Sequence, residues 1–165
     1  PWLQAFTTLG ATGISLMLLL VGVGGIIGNY VSGLTTDRFG ARATQLVLII
    51  LLAVDMALLP LIADSLIIGS ILIFVWGFVG QGFIAPQLVR IVGVNQALST
   101  AALGLNSSFI NVGLAIGAAA GGLFIDQIGV QSLTWLGVGG TILSLGVFGL
   151  SWMMENRQRA LEAVS

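Results

Sequence analysis

Few side chains in this sequence can do chemistry. Among 165 residues there are five Arg and six Asp or Glu, and there is no Lys, His or Cys. Without imidazole or thiol there is no Ser-His or Cys nucleophile, no disulfide and no Cys/His metal site. The carboxylates form no pair at a spacing useful for acid–base work, so the sequence does not read as an enzyme, and no cofactor or metal is expected. Five arginines without a basic stripe cannot make the phosphate footprint of a nucleic-acid binder. Three features remain. Asp37, Arg38 and Arg42 crowd the stretch Gly33–Arg42. Asp55 stands alone in an apolar run. Gln81, Asn106, Ser107, Ser108 and Asn111 interrupt otherwise apolar segments.

The segments that carry these groups are those of an integral membrane protein. Hydrophobic residues make up 57% of the chain and charged residues 7%, against about 25% charged in soluble domains. Mean hydropathy is +1.11. A membrane helix needs roughly 20 apolar residues, and five segments qualify, at about 12–34, 44–63, 66–85, 100–125 and 132–154. Pro86 closes or kinks the third. Residues 87–99 read as a polar, partly helical connector, and 155–165 as an amphipathic surface tail. The whole of 1–165 is expected to be one all-α transmembrane domain.

Glycine, 24 of 165 residues, falls on helix faces. Gly24 and Gly28 are four apart, and so are Gly113, Gly117 and Gly121. Such stripes let backbones approach and mark helix-packing faces. The run Gly22–Gly28 lacks the spacing and the preceding strand of a nucleotide-binding loop.

A charged turn between apolar runs belongs at a membrane surface, because lipid cannot solvate Asp37, Arg38 and Arg42. Five alternating spans put the 35–43 loop, the 87–99 connector and the C-terminal tail on one side. Those segments hold Arg38, Arg42, Arg90, Arg157 and Arg159, which is every basic residue of the chain. Arginine in short loops marks the cytoplasm, so that side, with the C-terminus, is expected to be cytoplasmic. The start at Pro1, with neither Met nor a basic region, does not read as a signal peptide and suggests a piece of a longer protein.

The pattern Gly33-x-x-x-Asp37-Arg38-x-Gly40-x-Arg42 resembles the G-x-x-x-D-R-x-G-R-R loop of the major facilitator superfamily, with Ala41 standing where one arginine is usual. The run Leu18–Asn29 is similar to the helix leading into that loop. Leu105–Gly113 and the glycine ladder after it are similar to the sugar-efflux and drug:proton antiporter branch. The resemblance implies twelve helices in two six-helix halves, this chain supplying five helices of the C-terminal half. It implies transport of a small solute or drug, as efflux by alternating access, coupled to protons, in a bacterial inner membrane. The partners would be lipid, the solute, protons and the missing N-terminal half or another transporter half.

Each polar feature then has two readings. Gly33, Asp37, Arg38, Gly40 and Arg42 form a conformational latch, as the resemblance implies, or a solvated turn. Asp55 couples to protons, because desolvation favours the protonated form of a carboxyl group, or it is a paired, structural Asp. Gln81, Asn106, Ser107 and Asn111 line a cavity, with Trp76 and Phe83 as an aromatic wall, or they bond between helices. A different class of function, a non-transporting membrane interaction or scaffold protein built as an isolated half-bundle, would use the glycine faces alone.

Overall fold

The computed structural model describes residues 10–62, 66–94, 99–128 and 132–162, all of them helical apart from Gly40 and Phe83. The helices are α1 (Gly10–Phe39), α2 (Ala41–Ile62), α3 (Leu66–Gly82), α4 (Ile84–Val94), α5 (Ser99–Ile128) and α6 (Ser132–Glu162). No strand occurs among the described residues. Helices are the expected answer to an apolar sequence in lipid, since each satisfies its backbone internally. Among the described residues, five stretches are long and apolar enough to cross a membrane: Thr12–Phe39, Ala41–Leu59, Ile67–Gly93, Ser99–Phe124 and Gly137–Met154.

The charged stretch is less of a loop than its composition suggests. α1 continues through Gly33, Asp37 and Arg38 to Phe39, and a single residue separates it from α2. That residue is Gly40, with φ +87°. Its N–H donates to the carbonyl of Thr36 at 2.9 Å, which is the bond of a left-handed C-cap, and its own carbonyl accepts from Thr44 N–H at 3.2 Å to start α2. The Thr35 hydroxyl donates back to the carbonyls of Val31 and Ser32, so it does not open the last turn. Arg38 lies in that last turn, where the helix dipole favours a cation. Its guanidinium sits 5.3 Å from the centre of the Phe39 ring.

The third span is bent rather than ended. Phe83 forms a one-residue turn. Phe83 N–H still donates to Val79 O and Gln87 N–H to Phe83 O, both at 3.2 Å. Pro86 falls in the first turn of α4, where an absent N–H costs nothing. The expected connector is therefore helix from Ile84 to Val94, and only residues 95–98 of it lie outside the described part. The expected turn at Asp64-Ser65 also lies outside it. At the other end of the chain, α6 runs without a break past Met154 to Glu162.

α1 lies against α3 along much of its length, and α2 touches α1, α3, α4 and α6, while α5 rests on α4 and α6. Contacts on α1 and α3 ascend together, from Val21 with Gly77 to Gly28 with Gly82, so these helices run parallel. A Cβ added at Gly24 would meet the Phe74 carbonyl oxygen and lie 3.1 Å from Phe78 N, and one at Gly28 would lie 2.6 Å from the Phe78 carbonyl carbon. Nothing but glycine fits there. By contrast, a Cβ at Gly113 or Gly117 meets nothing within 4 Å. The buried apolar set is small, chiefly Leu48, Ile49, Leu72, Ile73, Val79 and Phe148. Large apolar side chains such as Leu18, Ile26 and Ile67 point outward, as suits a surface solvated by lipid, where close packing rather than burial from water holds helices together.

Candidate functional site

Gln81, at the end of α3, has room because Gly25 of α1 faces it: a Cβ on Gly25 would lie 2.7 Å from Gln81 Cγ. Asn106 and Ser107 come from the first third of α5. Together with Gln87 of α4 they give the polar lining of a cavity of about 680 Å³ between α1, α3, α4 and α5. Trp76, Phe83, Ile84, Ile110 and Leu114 supply much of its apolar wall, and no charged residue lines it. The volume lies within the range of roughly 300–1,000 Å³ usual for small-molecule sites. Asn111 is not in this wall. It is exposed, and its amide donates to the carbonyl of Ser107 at 3.0 Å along its own helix. Ser107 and Ser108 similarly return their hydroxyls to Leu103 and Gly104, both at 3.1 Å.

A second cavity, of about 660 Å³, lies between α2, α4 and α6. The wall between the two carries Phe83 and Gln87, which line both. Gln87 accepts from Gln45 Nε2 at 2.8 Å and donates through Nε2 to Asn106 Oδ1 at 3.2 Å. Arg90, one turn further along α4, donates to Gln45 Oε1 at 2.6 Å and to Ser151 Oγ at 2.9 Å. Its guanidinium also lies 5.3 Å from the centre of the Phe148 ring. One chain of amide and guanidinium contacts thus ties α2, α4, α5 and α6. Interhelical bonds of this kind contribute about 0.6 kcal/mol each in membranes, so the chain positions side chains more than it stabilises the bundle.

The other polar groups stand apart. Asp55, about two-thirds of the way along α2, is 2% exposed, and among the described residues neither carboxyl oxygen has a hydrogen-bond partner. It lines neither cavity. Asp37 and Arg38 are exposed and Arg42 is half-buried at the α1–α2 junction. Gln45 and Arg90 are hydrogen-bonded to each other and Gln45 is five residues beyond Gly40, so this junction and the polar chain lie at the same end of the bundle.

Reading the sequence alone singled out Gln81, Asn106 and Ser107 but passed over Gln45, Gln87 and Ser151, and gave Arg90 only a topological role. One signal was available. Gln87 and Arg90 are three apart, on one face of a short amphipathic helix.

Comparison with known proteins gives the context for this arrangement. The family model described as Major Facilitator Superfamily matches residues 1–163. The inner membrane transport protein YdhP of Escherichia coli (strain K12) is 34% identical over 126 residues, which is 76% of this chain and 32% of YdhP. The uncharacterized MFS-type transporter YbcL of Bacillus subtilis (strain 168) is 26% identical over 145 residues, 88% of this chain and 37% of YbcL. YtbD, another uncharacterized MFS-type transporter of that organism, is 28% identical over 167 residues, covering 96% of this chain and 41% of its own. The chain therefore spans about a third to two-fifths of the length of these relatives. No solved structure matches it. With its membrane-crossing helices, its glycine-capped D-R-x-G junction and a family model that runs nearly end to end, the chain belongs to the Major Facilitator Superfamily.

Proposed function

We propose that this chain is the C-terminal half-bundle of a secondary transporter in a bacterial inner membrane. It moves a small solute or drug outward by alternating access against a second half, coupled to protons. The cavity lined by Gln81, Gln87, Asn106 and Ser107 is one wall of the solute path. The observation supporting this reading is that amides from α3, α4 and α5 converge on one uncharged cavity bounded by membrane-spanning helices. Such a wall suits an uncharged or amphipathic solute, which it can hydrogen-bond without a counter-ion.

Asp55 is the candidate proton carrier of this half, since its carboxyl is buried within α2 with no partner among the described residues to hold it in one state. Asp37, Arg38 and Arg42, with Gly33 and Gly40, are the candidate latch. Asp37 is exposed in the last turn of α1, where the dipole disfavours an anion, so a cationic partner or a neighbouring helix start would be needed to hold it.

The test is solute flux in vesicles that contain the full-length parent. Asn106→Leu should raise KM several-fold with little change in maximal rate, because it removes a binding contact and not the moving parts. An unchanged KM would remove the cavity from the solute path. Asp55→Asn should flatten the dependence of flux on a proton gradient; a wild-type pH profile in that variant would discard the proton role.

A further inference from the structure

The cavity between α2, α4 and α6 has a polar mouth and an apolar floor. Gln45, Arg90 and Ser151 are bonded together at the mouth. From there Ile49 and Leu52 continue down one face of α2, while Val147 and Leu143 continue down α6. Seven positions of helix separate Gln45 from Leu52, roughly 10 Å at about 1.5 Å per residue. The cavity thus runs from near one membrane surface toward the middle of the bilayer. On its α6 side Leu143 and Val147 are 70% and 59% exposed within this chain. Arg90 is the one charged residue in its lining, which contains no Asp or Glu.

We propose that this cavity is a binding site for one anionic phospholipid of the phosphatidylglycerol class, with its phosphate on Arg90 and an acyl chain along Leu52 and Leu143. Guanidinium presents a flat fork of donors that matches phosphate oxygens. Gln45 and Ser151 already accept from its two terminal nitrogens and the Phe148 ring lies beside it, so a phosphate at the mouth would share or displace these bonds. Basic pockets between membrane helices take anionic headgroups. A free phosphate would leave the apolar length of the cavity unfilled, whereas an acyl chain occupies it. The site shares Gln87 and Phe83 with the solute cavity, so lipid occupancy would bear on Asn106 through one amide. The lipid site itself does not depend on the transport reading.

The experiment is native mass spectrometry of the delipidated full-length protein, titrated in turn with phosphatidylglycerol, phosphatidylcholine and glycerol phosphate. The expected result is at least fivefold tighter retention of phosphatidylglycerol than of phosphatidylcholine, and no retention of glycerol phosphate. Arg90→Gln should bind one phosphatidylglycerol fewer than wild type, and Arg90→Lys should keep it more weakly. Leu143→Trp, at a position exposed enough to be tolerated by the fold, should also lose one by filling the apolar length; it decides the matter if Arg90→Gln does not assemble. Equal retention of the two lipids would reduce the cavity to an acyl-chain groove. Retention of glycerol phosphate would make it a phosphate site. Undiminished lipid binding in Leu143→Trp would place the lipid elsewhere. Each of these three results overturns the proposal.

Discussion

The α1–α3 seam and the α2–α4–α5–α6 cluster are joined by opposite means. Along the seam, Gly24, Gly28 and Gly77 bring backbone against backbone. In the cluster, helices stand apart around the cavity between α2, α4 and α6 and are tied by Gln45, Gln87, Arg90, Asn106 and Ser151. A glycine seam has one fit and tolerates neither rotation nor separation. Amide and guanidinium bonds can be exchanged for bonds to water, solute or lipid at little net cost. The seam is thus the closely fitted contact of the bundle, and the cluster is the part held by exchangeable polar bonds.

The strongest way to break this contrast is Gly28→Leu. Its side chain would overlap the Phe78 backbone, which cannot step aside as a side-chain tip can. Overpacking costs about 1–3 kcal/mol where side chains can adjust, and more where backbone must move. The expected outcome is loss of assembled protein, read as membrane-extracted monomer by size exclusion. A folded Gly28→Leu protein would show that the seam is not rigid.

A smaller effect is expected in the cluster. Gln87→Leu removes the bond to Gln45 and the bond to Asn106, about 0.6 kcal/mol each by membrane precedent. The protein should assemble and melt a few degrees lower, and the KM for solute should rise. A double-mutant cycle of Gln87→Leu with Asn106→Leu should be non-additive. Simple additivity would mean that the amide link carries nothing between the cavities.

Next comes the junction. Gly40→Ala forces a Cβ onto a residue at φ +87° and should cost on the order of 1 kcal/mol. A melting temperature unchanged by that variant would show that the α1–α2 break does not depend on this backbone conformation. The smallest effect is expected on α5. Gly113→Ala meets open space within this chain, so the half-bundle should keep its stability within about 0.5 kcal/mol. A clear loss in the full-length protein would show that a helix outside this chain packs there, giving α5 a seam like that of α1.

How far the sequence could be read differs between these regions. Spans could be placed from hydropathy because lipid imposes one solution on an apolar run. The Gly24 and Gly28 stripe was legible because both glycines lie on one helix, four apart. The length of α1 is harder to read: Thr35, Thr36, Asp37 and Arg38 look like loop residues, yet the Thr35 hydroxyl donates to its own helix and the helix continues to Phe39. The polar chain was illegible for another reason. Its partners are 19, 42, 45 and 61 residues apart, and no local pattern records such a pairing.

Composition and periodicity by themselves determined that the chain is a bundle of membrane helices with its arginines near helix ends, because solvation by lipid acts on each segment separately. Only the tertiary structure decided that Gln87 stands between two cavities, that Arg90 turns inward to Gln45 and Ser151, and that Asp55 is buried without a partner among the described residues. Those outcomes depend on which faces of different helices meet, and that is fixed by the packing of the whole bundle and not by any one segment.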